Sequence, residues 1–174
     1  MTKRYLLIVS LGLFVAGFFV PEQRIIPVAD ARPVDWNPKS FWYYPWGRSG
    51  THKGIDIFAA KHTPILASTS GLVLHTGENS MGGNTVFILG AKWRVHYYAH
   101  LQQINTPSFH WVKAGQTLGT VGDSGNAKGK PPHLHYVIRS LIPLPWNIDA
   151  TVPQGRRKMF YINPHEFLTG DDAS

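Results

Sequence analysis

After Val20 no stretch of the chain sustains a helical period, and from residue 51 onward it is cut into short runs by Gly, Pro and Asn. "PILAS" (64–68), "GLVLHTG" (71–77), "NTVFILG" (84–90), "WRVHYYAHL" (93–101), "TLGTVG" (117–122) and "HLHYVIR" (133–139) are strand-length, and several alternate apolar with polar residues. That period places alternate side chains on opposite faces of a strand. Glycine recurs between the runs, as tight antiparallel turns require. The third and fourth runs, joined through Ala91 and Lys92, read as a hairpin. The expectation is a mainly β fold, an antiparallel sandwich or barrel-like core. Residues 141–158 show no period and read as a long loop, and "INPHEFL" (162–168) reads as a short closing helix beginning at Asn163 or Pro164.

The first forty residues differ in kind. Lys3 and Arg4 precede an apolar run from Tyr5 to Val20 that ends at Pro21. A charged segment before an apolar one reads as an export signal. Ala29-Asp30-Ala31 resembles a cleavage site but lies far downstream, so residues 1–20 are either a cleaved signal peptide or an uncleaved signal anchor. Both place the remainder outside the cytoplasm, in the periplasm or cell envelope, with an anchor holding it to the inner membrane. Pro21, Pro27, Pro33 and Pro38 make residues 21–40 an extended linker rather than a helix. A single domain then runs from about 41 to 170.

The chain contains no cysteine, which excludes disulfides and thiolate metal sites. Any metal must be held by His, Asp or Glu. In "PPHLHYVIR", His133 and His135 stand on one face of a strand, about 6.6 Å apart along it. In "THKGIDIFA", His52, Gly54 and Asp56 share a face while Ile55 and Ile57 can enter the core; Gly54 leaves room near the backbone. His52, Asp56 and one of His133 or His135 would supply two imidazoles and a carboxylate, a set suited to catalytic zinc with one open position. The other histidine of the pair would stand beside the metal as an acid–base group. In "RVHYYAHLQ", alternation puts Arg94, His96, Tyr98 and His100 on one face, and His100, at the strand's end, is placed to face a groove. His96 competes for that role but reads better as a surface imidazole. His62, His75, His110 and His165 read as structural or exposed.

"HKGIDI", "YYAHL" and "GDSG…PPHLHYVI" together resemble the H-x-x-x-D, A-H-L and H-L-H motifs of the lysostaphin/LytM-type zinc endopeptidases, over about Trp46 to Arg139. The resemblance implies an antiparallel β core with a long narrow groove, and one zinc ion on His52, Asp56 and His135. It implies that His100 and His133 act on the water and the oxyanion. It further implies cleavage of peptide bonds in bacterial peptidoglycan cross-links; a monomer is the expected state. The chain departs from the family pattern at Lys128–Pro132, at Val137 and Ile138, and in loop 141–158. The net charge of +7 suits an anionic partner. With no dense basic run beyond Arg156, Arg157 and Lys158, murein fits better than nucleic acid. The cluster "FWYYPW" (41–46) reads as a groove lining or as a plug packing the linker onto the core. The rival reading is a non-catalytic cell-wall-binding regulator of murein amidases on the same fold; a sugar- or nucleic-acid-binding β domain is a further one. All five motif residues favour the enzyme.

Overall fold

The alternating runs pair into one branched, antiparallel sheet of nine strands. A computed structural model describes residues 2–170. The strands are β1 (Ile55–Phe58), β2 (Pro64–Leu66), β3 (Gly71–Asn79), β4 (Gly83–Leu89), β5 (Arg94–Ile104), β6 (Trp111–Val112), β7 (Thr117–Val121), β8 (His133–Ser140) and β9 (Tyr161–Ile162). Helix α1 (Thr2–Ala16) precedes them and α2 (Pro164–Thr169) follows them. The main path runs β1-β8-β5-β4-β3-β6, with β9 added to β8 and the β2–β7 pair joined to the far end of β5. Every pairing is antiparallel.

One face of the sheet forms the core. Ile55 and Ile57 of β1, Tyr98 of β5, and Leu134, Tyr136 and Ile138 of β8 are fully buried there. Burial of each such side chain is worth about 1.5–3 kcal/mol. The two buried tyrosines are also bonded: the Ser68 amide donates to the Tyr98 hydroxyl (2.9 Å), and the Tyr136 hydroxyl meets His96 Nδ1 at 2.7 Å. His96 is therefore an interior residue, not the surface imidazole its sequence suggested. Its strand face is core, and the ring is enclosed by Tyr136 and Phe167.

The segment 21–40 is laid along the domain. The Ile25 amide donates to Ser68 O and the Leu66 amide to Pro27 O, and Val28 bridges Ile65. Val28 and Trp36 join the core, and Trp36 Nε1 donates to His165 Nδ1 on α2 (3.2 Å). Buried Glu22 receives Arg94 at 2.6 Å and Lys92 at 3.5 Å. Residues 141–160 hold tight helical turns at Pro145–Asn147 and Gly155–Phe160. They pack on the aromatic segment through Trp42 Nε1 to Pro153 O (3.0 Å) and Gln154 Nε2 to Ser49 O (2.9 Å).

Candidate active site

The opposite face of β1, β8 and β5 is the floor of a groove of ≈ 950 Å³, large enough for several residues of a peptide. The register builds the site from its floor. Asp56 lies directly across from His135, and Phe58 across from His133. Because Ile55 and Ile57 are drawn into the core, Asp56 must face the groove. The same alternation on β8 puts His133, His135, Val137 and Arg139 in the groove. Gly54 brings the two chains together: a Cβ there would lie 2.2 Å from the Tyr136 carbonyl oxygen. The neighbour that needs its empty space is the backbone of β8.

His52 precedes β1 and reaches the same point. Its backbone pairs with the aromatic segment, Trp42 N to His52 O and His52 N to Tyr43 O. Its Nδ1–H donates to Ser40 O at 3.0 Å, so Nε2 is the nitrogen with a free lone pair. That Nε2 is 3.1 Å from Asp56 Oδ1 and 3.1 Å from His135 Nδ1, and His135 Nδ1 is 2.7 Å from Asp56 Oδ1. Among the described residues these three are the group whose ligand atoms converge closely enough to hold a metal ion. Tetrahedral zinc with bonds of 2.0–2.1 Å needs ligand atoms about 3.3 Å apart, so the donor set fits with small adjustments. Burial alone would raise the Asp56 carboxyl, but its close polar contacts with the His135 and His52 rings outweigh that and hold it well below the usual carboxylate range. The group is an anion, the form a metal requires. Burial lowers His135, in part offset by Asp56, which keeps that ring neutral as well. The Trp46 ring covers His52 with centroids 4.1 Å apart.

His100 and His133 flank this point, their ring centroids 5.0 Å apart and that of His100 5.9 Å from His135. His133 Nδ1–H donates to Pro131 O (2.8 Å) and His100 Nδ1–H to Ser124 O (2.9 Å). Each ring is thereby held with Nε2 as its basic nitrogen. Burial, and then the His135 and His133 rings, push His100 down to about 4. His100 does not share the face of His96 and Tyr98 that alternation assigns it. Val95 and Tyr97 line the groove and His96 and Tyr98 are core, so regular alternation would bury His100. Between the Val86–Tyr98 and Asn84–Leu101 pairs, β5 holds an extra residue. His100 adopts φ +67° at that bulge, and its side chain turns into the groove.

The sequence carried no sign of what orients these rings. Ser40, Ser124 and Pro131 act through backbone carbonyls, and Tyr97 enters the groove through a pleat direction that only the pairing reveals. Of the remaining histidines, His165 is tied to Trp36, and none of His62, His75, His110 or His165 lines the groove.

Residues 50–149 match the model of peptidase family M23. The peptidoglycan DD-endopeptidase ShyC of Vibrio cholerae is 39% identical over 90 residues, covering 52% of this chain and 20% of that protein. The chain thus matches only about a fifth of that relative's length. The catalytic domain of the antimicrobial peptidase lysostaphin from Staphylococcus simulans superposes with a TM-score of 0.59 at 27% identity, over 75% of this chain and 89% of that one. A zinc-containing peptidase from Vibrio cholerae superposes with a TM-score of 0.56 at 25% identity, over 68% and 36%.

Proposed function

The chain belongs to peptidase family M23, and from that premise we propose that it is a zinc-dependent endopeptidase hydrolysing peptide bonds in the cross-links of bacterial peptidoglycan. The observation that carries this reading is the convergence of His52 Nε2, Asp56 Oδ1 and His135 Nδ1 at one point of the groove floor. Relatives named as a peptidoglycan endopeptidase, as lysostaphin and as a zinc-containing peptidase support it. The amidase-regulator alternative has no use for a complete ligand set with two further histidines beside it.

His52, Asp56 and His135 would hold the zinc, and with one carboxylate the loaded site would carry a net +1. A bound zinc supplies Lewis-acid chemistry, acidifying water and polarising a carbonyl. The rest falls to the chain. The groove lays the peptide along β8, and the low dielectric of its floor strengthens each polar contact. His100 and His133 each present Nε2 to the reacting centre. One accepts the proton that water loses on attack and passes it to the leaving amine, and either, when protonated, donates to the developing oxyanion. Nδ1, tied to a carbonyl, keeps each ring from rotating or changing tautomer.

The domain acts outside the cytoplasm, in the periplasm or envelope, where murein is found. Residues 1–20 serve as export signal or membrane anchor and 41–170 as the peptidase, and 21–40 connect the two while lending Val28 and Trp36 to the domain core. Helix α1 spans 15 residues, about 22 Å at 1.5 Å per residue, against an apolar bilayer core of about 30 Å. Among the described residues no helix is long and apolar enough to cross a membrane, so an anchor would need the apolar residues that follow α1 as well.

The test is to measure zinc in the purified protein and to digest isolated peptidoglycan, identifying the released fragments by mass spectrometry. One zinc per chain and new amino termini at peptide cross-links are expected. Zinc-loaded protein that binds walls and releases no peptide would overturn the reading.

A further inference from the structure

The groove is charged on one side of the ledger only. Its lining includes Arg48, Lys53, Lys130 and Arg139, and its one carboxylate is Asp56, already engaged by two histidines. Ion pairs elsewhere neutralise Lys61 with Asp123, Lys92 and Arg94 with Glu22, and Lys158 with Asp149. No carboxylate of the described residues pairs with a cation of the groove. Lys53 is spent locally, its Nζ donating to Ser49 O (2.9 Å) and lying over the Trp42 ring. Arg48, Lys130 and Arg139 remain, all solvent-accessible.

Their placement follows from β8. His133, His135, Val137 and Arg139 are successive groove-facing residues, so Arg139 lies four residues, about 13 Å, beyond the His135 ligand. Lys130 stands three residues before His133, past the other end of the site, and Arg48 sits near Trp46 above His52. Cations therefore line the groove beyond both histidines of β8, Arg139 on the strand itself and Lys130 in the turn that precedes it.

We propose that the groove is built for cross-linked peptides that bear free carboxylates on both sides of the scissile bond, Arg139 receiving one and Lys130 the other, rather than for uncharged glycine bridges or amidated stems. This rests on the hydrolase reading above. An extended peptide spans about 3.3 Å per residue, so a carboxylate three to four residues from the cleaved bond comes level with Arg139. A bidentate guanidinium contact there fixes register as well as adding affinity. Cations that have no carboxylate partner within the protein gain one when such a substrate binds.

The experiment compares zinc-loaded full chain on three substrates: cross-linked muropeptide dimers with free carboxyl groups, the same dimers with those groups amidated, and a pentaglycine-bridged dimer. Free dimers are expected to be cleaved with a higher kcat/KM than the amidated ones, by up to about fivefold for each solvent-exposed ion pair. Arg139→Gln and Lys130→Gln should each pull that ratio towards one while zinc content stays unchanged; a merely structural defect would lower both rates together. Equal cleavage of free and amidated dimers, or cleavage of the pentaglycine bridge alone, overturns the proposal and leaves the hydrolase reading standing. No cleavage of any of the three overturns both.

Discussion

At the scale of single residues, the proposed mechanism separates groups that would hold a metal from groups that would move protons. Replacing His52, Asp56 or His135 by Ala removes one of three donors whose atoms lie within 3.1 Å of one another. Metal and activity should disappear together, as read by zinc content and wall digestion. His100→Ala and His133→Ala should keep their zinc and lose about 100-fold or more in rate. A His100→Ala protein with bound zinc and full hydrolysis would remove His100 from the chemistry. The sequence pointed to these five residues through motif and spacing. It did not reveal how His100 reaches the groove, because that depends on one residue at φ +67° in a bulge opposite β4, and alternation alone assigns it the wrong face.

At the scale of elements, the ligand set depends on how closely β1 approaches β8. Gly54→Ala would place a methyl group 2.2 Å from the Tyr136 carbonyl and 2.8 Å from Val137 Cγ2. The strands must part, which moves Asp56 away from His135. Overpacking of this kind costs about 1–3 kcal/mol, and loss of ligand support weakens metal binding by about 10–100-fold. Thermal melts and zinc titration should show both effects. The strand runs themselves were legible, since the Gly, Pro and Asn punctuation is local. The two-residue strands β6 and β9 were not, because two residues show no period and are ordered only by the neighbour they pair with. Loop 141–158 has no period either, yet it buttresses the segment bearing Trp46 through Trp42 and Gln154.

At the scale of the whole molecule, burial of a titratable core makes stability depend on pH. Burial, assisted by Arg94, lowers the His96 imidazole to about 3, whereas in the unfolded chain it titrates near 6.5. The folded form keeps the ring neutral, so its contribution is complete above about pH 6.5 and is lost as pH falls and the unfolded state takes up the proton. Between pH 7 and pH 5 this amounts to about 2 kcal/mol. Urea unfolding in chelator at the two pH values should therefore show a smaller pH-dependent loss for His96→Gln than for the parent, by about that amount. Equal losses would mean that the ring is already charged in the fold. The Glu22 contact with Arg94 and Lys92 acts at the same scale, tying the segment before the domain to the β4–β5 turn. Glu22→Ala leaves the partly exposed Arg94 without its partner and should lower stability by about 1–2 kcal/mol.

What the chain determined by itself is local: the strand period, the turns, the absence of thiol ligands, and two short motifs that each put metal-binding side chains on one face of an extended segment. These follow from bond geometry and side-chain chemistry within a few residues. Only the tertiary structure decided that β1 and β8 lie in the register that sets Asp56 against His135, that His96 is core and His100 is not, and that the cations without partners line one groove. Those outcomes depend on which distant segments share a hydrogen-bond ladder and on which face the core claims, and no short window of sequence contains either.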